Sequence, residues 1–207
     1  TKMTHDYWLE RWVNEEIAFH QDEVNAYLMH YWQVLSLDSN CRVFVPLCGK
    51  SGDMTWLREQ GHSVLGVELS RLAVQAFFDE RGVVPQQVST DKFVQFDTDG
   101  IRILCGDFFD LCQADLVNTC AVFDRAVLIA LPPAMRQGYV EHLLEMAPSG
   151  TKILLVTIDY PQDEMEGPPF AVSPDEVERL YQSVADIKRL SQQDILAEHT
   201  RFRERGI

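Results

Sequence analysis

Residues 42–68 read RVFVPLCGKSGDMTWLREQGHSVLGVE, and this stretch decides the fold class. It opens with a short apolar run that is typical of a buried strand and stops at Pro46. A glycine-containing loop follows, and then a helical pattern that ends at Gly61. A second apolar run, 63–67, is closed by Glu68. Strand, loop, helix and strand in this order predict one unit of a parallel sheet.

On both sides of this unit, predicted strands and helices continue to alternate. The predicted strands are 42–45, 63–67, 101–105, 121–123, 152–158 and 187–190, and the predicted helices are 7–17, 23–37, 54–60, 70–78 with Ser70 as N-cap, 132–146 and 173–181. The apolar runs are continuous rather than alternating, which indicates a sheet covered by helices on both faces. We therefore expect an α/β fold with a doubly wound, mostly parallel sheet, in a single domain spanning residues 1–207.

The composition is acidic, with 32 Asp and Glu against 18 Lys and Arg and a formal net charge of −14. Because nucleic-acid affinity comes mainly from Lys and Arg displacing counterions, we expect no nucleic-acid partner. The longest apolar runs fall short of the ~18 residues of a membrane span, and residues 1–10 lack the apolar core of a signal peptide. We therefore expect a cytoplasmic protein without a membrane partner.

The five cysteines form no CxxC pair, and the six histidines form no HExxH pattern. A zinc site or a disulfide framework calls for paired spacing, so we expect reduced thiols and no metal site. Every amphipathic stripe is already assigned to the core, which leaves none for a subunit interface. We therefore expect a monomer with a small-molecule partner.

The loop PLCGKSG at 46–52 is open to three interpretations. A Walker A loop would need a glycine where Phe44 stands, and the dinucleotide pattern GxGxxG is missing. An ordinary strand-to-helix turn remains open, although Gly49 lets the backbone approach a ligand closely. Glu68 lies 19 residues after Gly49, and a carboxylate at about that interval accepts hydrogen bonds from ribose hydroxyls. Loop and carboxylate together favour a nucleoside ligand.

Two further predicted strands end in polar groups that suit adenosine and its reaction partner. Asp107 or Asp110 could accept from an adenine amino group and Phe108 could cover the ring, although Asp110 could equally be a helix N-cap. Asp124 and Arg125 form either a weak surface pair or part of the site. In the site, Arg125 would hold an anionic or thione-type substrate by a forked hydrogen bond.

Six motifs together resemble the thiopurine S-methyltransferase family. The resemblance runs from about residue 7 to residue 206, which is nearly the whole chain. PLCGK followed by GHxVxGVE is specific to this family, since other methyltransferases carry more glycines in the loop after the first strand. The motifs are WLERWVN (8–14), AFHQ (18–21), VPLCGK (45–50), GHSVLGVE (61–68), FDR (123–125) and GPPF (167–170).

The resemblance implies a Rossmann-like class I methyltransferase fold in which N-terminal helices within residues 1–37 cover the cofactor cleft. It implies S-adenosylmethionine as the cofactor, S-adenosylhomocysteine as its product, and methyl transfer to the sulfur of thiopurines or other small heterocyclic or aromatic thiols. The implied cofactor-binding residues are Trp8, Trp12, Leu47, Gly49, Glu68, Asp107, Phe108 and Arg125; the implied substrate-binding residues are Phe19, Arg125 and Arg201.

Arg125 is the catalytic candidate, because it would orient the acceptor and stabilise its negative charge. Trp8 and Trp12 could equally staple a helix to the core, and Arg201 could belong to a solvated basic cluster. A thiol of low pKa needs no strong base, which agrees with the lack of a clear His–carboxylate pair. Methylation of selenium, tellurium or oxygen acceptors and a catalytically silent cofactor-binding role remain open, whereas the missing GxGxxG disfavours a dinucleotide-dependent reductase.

Overall fold

One mixed sheet organises the computed structural model, which describes residues 5–14 and 22–196. Its strands are β1 (Arg42–Pro46), β2 (Ser63–Glu68), β3 (Gln86–Ser89), β4 (Val94–Thr98), β5 (Ile101–Cys105), β6 (Thr119–Asp124) and β7 (Lys152–Leu155). Across the sheet they lie in the order β3-β4-β5-β2-β1-β6-β7. β5, β2, β1, β6 and β7 run parallel, while β3 and β4 add antiparallel strands at the β5 edge. The predicted doubly wound, mostly parallel sheet is confirmed.

The strand order reverses at the centre of the sheet, and this reversal positions the site. From β1 the chain first builds outward through β2 to β5, and then returns to place β6 on the other side of β1. Connections therefore leave β1 and β6 in opposite directions. In open parallel sheets the resulting crevice at the carboxyl ends of the strands is where ligands bind.

Helices cover both faces of the sheet, as the continuous apolar runs predicted. The helices are α1 (His5–Val13), α2 (Ala26–Tyr31), α3 (Asp53–Glu59), α4 (Arg71–Asp79), α5 (Pro133–Met146) and α6 (Pro174–Tyr181). β1 supplies both apolar cores, because successive side chains of a strand point to opposite faces. Val43 and Val45 join the core under α2, α3 and α4, whereas Phe44 joins the core under α5 and α6.

Capping residues set the helix starts at the predicted places. The Ser70 hydroxyl accepts a hydrogen bond from the Ala73 N–H and begins α4. Ser173 does the same for α6 through the N–H of Glu176. Pro133 is the first residue of α5, where its missing N–H costs nothing.

Several predicted elements differ from the structure. The predicted helix 7–17 runs as α1 from His5 to Val13, and residues 15–17 lie outside the described part of the chain. The predicted helix 23–37 begins later, because the Asn25 side chain caps α2, and it continues as a 3-10 turn over 32–35. The predicted strand 152–158 stops as β7 at Leu155, which pairs with the last residue of β6. The predicted strand 187–190 is wrong, since these residues form no strand and Leu190 packs against the core under α2, α3 and α4 instead.

β3 and β4 form a hairpin that the prediction missed. Val94 and Phe96 alternate with polar residues in β4, which is the pattern of a half-buried strand, but no apolar run marks it. All four residues of β3 are exposed, so this edge strand carries no hydrophobic signal at all. Its pairing with β4 is visible only in the folded chain.

Cys41 and Cys120 bear on the expectation of five reduced thiols. The structure places their Cα atoms 5.7 Å apart, which is the separation usual for a disulfide-forming pair. Cys41 precedes β1, and Cys120 occupies the irregular position in the ladder that pairs β6 with β1. They are 79 residues apart, so no local motif reveals the pairing.

No helix in the described part of the chain is long and apolar enough to cross a membrane.

Candidate active site

Four parallel strands, β1, β2, β5 and β6, end around one cavity of about 310 Å³. The loops that follow these strands line the cavity, and residues of α1 and α5 complete its wall. This volume is at the lower end of the range for small-molecule sites. The structure places seven sequence-predicted residues on the cavity: Trp8, Leu47, Gly49, Glu68, Asp107, Phe108 and Arg125.

The loop after β1 turns sharply and packs against β2. Leu47 and Gly49 both have positive φ angles, of 49° and 54°, which a leucine rarely adopts. The Cys48 N–H between them donates to the Val67 carbonyl at 3.0 Å. Gly66 makes this approach possible, since a Cβ there would lie 2.7 Å from the Cys48 sulfur. The loop therefore packs its backbone closely against β2 at the wall of the cavity.

Glu68 ends β2 with its carboxylate buried at the cavity wall. Its Oε2 accepts from the Gly49 N–H and its Oε1 from the Ser70 N–H, each at 2.9 Å. Burial raises the pKa of Glu68, and the neighbouring N–H groups act in the opposite direction. Each carboxylate oxygen has a second lone pair, so the group can accept two further hydrogen bonds. A pair of adjacent ribose hydroxyls has the matching donors.

Asp107 and Phe108 follow β5 and shape another part of the wall. Asp107 caps a 3-10 turn by accepting from the Phe109 N–H at 2.9 Å, and its other oxygen lies 2.7 Å from Nε2 of His5 in α1. The Phe108 ring is buried, with its centroid 4.9 Å from that of Tyr139. The alternative that Asp110 is the cap is wrong, because Asp107 fills that role.

Arg125 and Asp124 turn to different partners instead of pairing at the surface. The Arg125 Nε lies 3.2 Å from Oδ2 of Asp53, the first residue of α3. Arg125 lines the cavity, whereas the Asp53 side chain is only 3% exposed. A charge pair this well buried is not the weak surface pair that the sequence left open.

Asp124 is fully buried beneath the cavity wall. Its Oδ2 accepts from the Tyr139 hydroxyl at 2.6 Å, and the Val127 N–H also lies close to the carboxylate. Burial raises the pKa of Asp124 to about 6, against the lowering effect of the Tyr139 hydroxyl and the Val127 N–H. Tyr139 and Val127 line the cavity, so the buried Asp124 helps to hold two of the lining residues in place.

The N-terminal helix α1 lies at the mouth of this cavity. His5, Trp8 and Arg11 contribute to the lining, and Arg11 donates to the Tyr7 hydroxyl at 2.8 Å. Trp12 lies in α1, but its side chain is outside the described residues, as are Phe19 and Arg201. The roles implied for these three side chains therefore stay predictions.

The family model for thiopurine S-methyltransferase (TPMT) matches residues 3–207. The chain belongs to the thiopurine S-methyltransferase family. It is accordingly an S-adenosylmethionine-dependent methyltransferase, as the sequence motifs predicted. The thiopurine S-methyltransferase of Nitrosospira multiformis is 58% identical over 99% of this chain and 93% of its own length. That of Azotobacter vinelandii is 47% identical over 99% of this chain and 94% of its own length.

Solved structures of more distant methyltransferases share the fold. The Burkholderia thailandensis 1,6-didemethyltoxoflavin-N1-methyltransferase, solved with its substrate and S-adenosylhomocysteine, has a TM-score of 0.61 at 14% identity, covering 86% of this chain and 74% of its own. A TehB-like methyltransferase of Corynebacterium glutamicum has a TM-score of 0.53 at 13% identity, covering 87% and 82%. These likenesses establish the Rossmann-like class I fold, which was the expectation.

Several residues that line the cavity or contact its lining escaped the sequence analysis. Asp53 carries a weak signal, because acidic residues favour the first turn of a helix, but that position alone does not predict contact with Arg125. Met135 and Tyr139 lie on α5, and their spacing predicts only an apolar face. Across residues 5–14 and 22–196, no group of three or more His, Cys, Asp or Glu side chains is arranged to hold a metal ion.

Proposed function

We propose that this enzyme transfers the methyl group of S-adenosylmethionine to the sulfur of a small aromatic or heterocyclic thiol, of the thiopurine kind. The observation that carries the proposal is the placement of Arg125 beside an apolar wall in the same cavity as Glu68. The cavity thus combines acceptors for a nucleoside with a cation and apolar surface for a flat anion. We further propose that the enzyme works as a monomer in the cytoplasm, without nucleic-acid or membrane partners.

The residues of the cavity fit the cofactor on chemical grounds. Glu68 has lone pairs for the two ribose hydroxyls, and Asp107 is a carboxylate that can accept from an exocyclic amino group. The ring of Phe108 and the exposed ring of Phe109 offer apolar surface for a purine. The positive φ angles at Leu47 and Gly49 hold the backbone close to the cavity for the amino-acid end of the cofactor.

The acceptor side follows β6 and continues into α5. Val127, Ala130, Leu131 and Met135 line it with apolar side chains, and Arg125 lies at its start. The planar guanidinium of Arg125 can bind a thiolate or thione by two parallel N–H donors. A flat, largely apolar ring with one ionised sulfur matches this surface.

When bound, S-adenosylmethionine supplies a methyl group on a sulfonium that is already activated for displacement. The chain must therefore align the sulfur for in-line attack and exclude water. Holding the two reactants in attack geometry is worth about 7–11 kcal/mol of barrier. Arg125 orients the acceptor and stabilises its negative charge, and the apolar wall keeps water away. A thiol that is ionised near neutral pH requires no general base.

The test is transfer of labelled methyl from S-adenosylmethionine to a panel of heterocyclic thiols, phenols and selenium or tellurium species. We expect label on the thiols. Faster transfer to selenium or tellurium would assign the alternative acceptors, and binding of S-adenosylhomocysteine without any transfer would indicate the catalytically silent role. Either result would overturn the proposal.

The Arg125→Ala variant tests the acceptor side of the same proposal. We expect transfer to an anionic thiol to fall about 100-fold, because a lost donor to a charged reacting group costs this much in comparable sites. Arg102→Ala is the matched control, since Arg102 pairs with Asp97 on the sheet and not in the cavity. Unchanged turnover of Arg125→Ala on the anionic thiol would remove Arg125 from the mechanism.

A further inference from the structure

Asp53 contacts three parts of the molecule, two through its buried side chain and one through its backbone N–H. Its Oδ2 lies 3.2 Å from the Arg125 Nε, and its Oδ1 accepts from the Asn25 N–H at 2.8 Å. Its own N–H donates to the Ser51 hydroxyl at 3.1 Å. Asn25 begins α2, and Ser51 belongs to the glycine loop that lines the cavity.

The Asp53 carboxylate is buried, and its burial determines how strongly it attracts Arg125. A charge taken out of water is costly, and it is retained in a fold only where attraction and hydrogen bonds compensate. Asp53 is 3% exposed at its side chain and Arg125 is 15% exposed, so their attraction is poorly screened. The contact with Asp53 consequently restrains the Arg125 side chain at its Nε.

We propose that Asp53 is the positioning residue for Arg125. It holds the guanidinium at the acceptor side of the cavity, so that the side chain is already oriented when the substrate binds. The inference rests on the proposed function, in which Arg125 contacts the acceptor. Asp53 also contacts the start of α2 and the glycine loop. It therefore links the acceptor side of the cavity to the cofactor side.

The role predicts a particular pattern of kinetic change. Asp53→Asn removes the charge, while the amide oxygen still accepts from the Asn25 N–H. We expect kcat for an anionic thiol to fall about 10- to 100-fold, since misplacement of a catalytic contact by about 1 Å costs this much. The KM for S-adenosylmethionine should change by less than about threefold, because Asp53 does not line the cofactor side.

A double-mutant cycle separates positioning from general stability. In an Arg125→Ala background, Asp53→Asn should cause no further loss of kcat, because the residue through which it acts is gone. Asp97→Asn is the matched control, since it breaks a carboxylate–Nε contact of 2.7 Å to Arg102 elsewhere on the sheet. Full kcat in Asp53→Asn, or an undiminished loss in the Arg125→Ala background, would overturn the inference.

A second readout does not depend on turnover. The Arg125 Nε–H signal in nuclear magnetic resonance, assigned by its loss in Arg125→Lys, should exchange slowly with solvent in the wild type and rapidly in Asp53→Asn. Equal exchange in both would contradict the inference, even if the wild type methylates none of the acceptors tested. If Asp53→Asn does not fold, Asp53→Glu keeps the charge and displaces the carboxylate, and the same lowered kcat and faster exchange are expected.

Discussion

Glu68 and Asp124 are two buried carboxylates at strand ends that face in different directions. Glu68 faces the cavity with a backbone N–H on each oxygen, whereas Asp124 faces α5 and accepts from Tyr139. Their positions could be predicted from sequence, because each closes an apolar run. Their orientations could not, because the orientation of Asp124 depends on a tyrosine 15 residues later in a helix. The contact of Asp53 with Arg125 could not be predicted either, because the two residues are far apart in the sequence.

Glu68→Gln tests the ribose contact. The amide keeps one acceptor and the size of the side chain but loses the charge. We expect S-adenosylhomocysteine to bind about 10- to 100-fold more weakly, as hydrogen bonds to a charged group contribute about 1.5–3 kcal/mol each. Calorimetric titration with a 2′,3′-dideoxy analogue is the control. If the variant weakens the analogue as much as the parent ligand, Glu68 does not bind the ribose.

Asp124 makes stability depend on pH in a predictable direction. Its pKa of about 6 in the fold exceeds the ordinary value of 3.8, so folding disfavours the ionised form. The penalty is absent at low pH, grows as pH rises from about 4 to 6 and is then constant. Relative to wild type, Asp124→Asn should therefore gain about 2–3 kcal/mol of unfolding free energy between pH 4 and pH 7.

Urea unfolding of both proteins across this pH range measures the difference directly. Other titrating groups contribute equally to the two curves and cancel in the comparison. A stability difference that stays constant from pH 4 to pH 7 would show that Asp124 titrates at an ordinary pKa.

At the scale of elements, apolar pattern and capping predicted what local sequence controls. The starts of α4, α5 and α6 follow from Ser70, Pro133 and Ser173. The prediction failed where pairing decides the outcome. The exposed edge strand β3 carries no apolar signal, and residues 187–190 have a strand-like composition but form no strand. Strand formation needs a partner, and a partner is not a local property.

The helix α1 belongs to the cavity rather than to the core. His5, Trp8 and Arg11 line the cavity, and in the described chain neither apolar core includes a residue of α1. Deleting residues 1–14 should therefore leave the melting temperature within a few degrees. We expect methyl transfer to fall about 100-fold, since water enters and alignment is lost.

Stopped-flow release of S-adenosylhomocysteine provides the matching kinetic measurement. The shortened chain should release the ligand faster than the full chain does. Unfolding of the shortened chain, or release at the original rate, would show that α1 stabilises the sheet or lies away from the ligand.

At the scale of the whole molecule, the sequence predicted the sheet and the edge at which its site lies. The order of strands around β1 brings together side chains that are distant in sequence, from Leu47 to Arg125. The motifs shared with the family predicted more about function than composition did, because they indicated both the cofactor and the type of reaction. Composition alone indicated an acidic protein, and the α/β class came from the alternation of predicted strands and helices.

The oligomeric state is a property of the whole surface. We expect a monomer, and light scattering should give a mass near 23.8 kDa at micromolar concentration. A mass near twice that value would contradict the prediction and would require a surface for a second copy.

The central claim is that the methyl group goes to sulfur, and one product analysis tests it most directly. An aromatic ring that carries both a thiol and a hydroxyl, 4-mercaptophenol, offers the two acceptor atoms in one bound molecule. With labelled S-adenosylmethionine, the account predicts that nearly all label appears in the S-methyl product. Label on oxygen, or an equal mixture of both products, would contradict it.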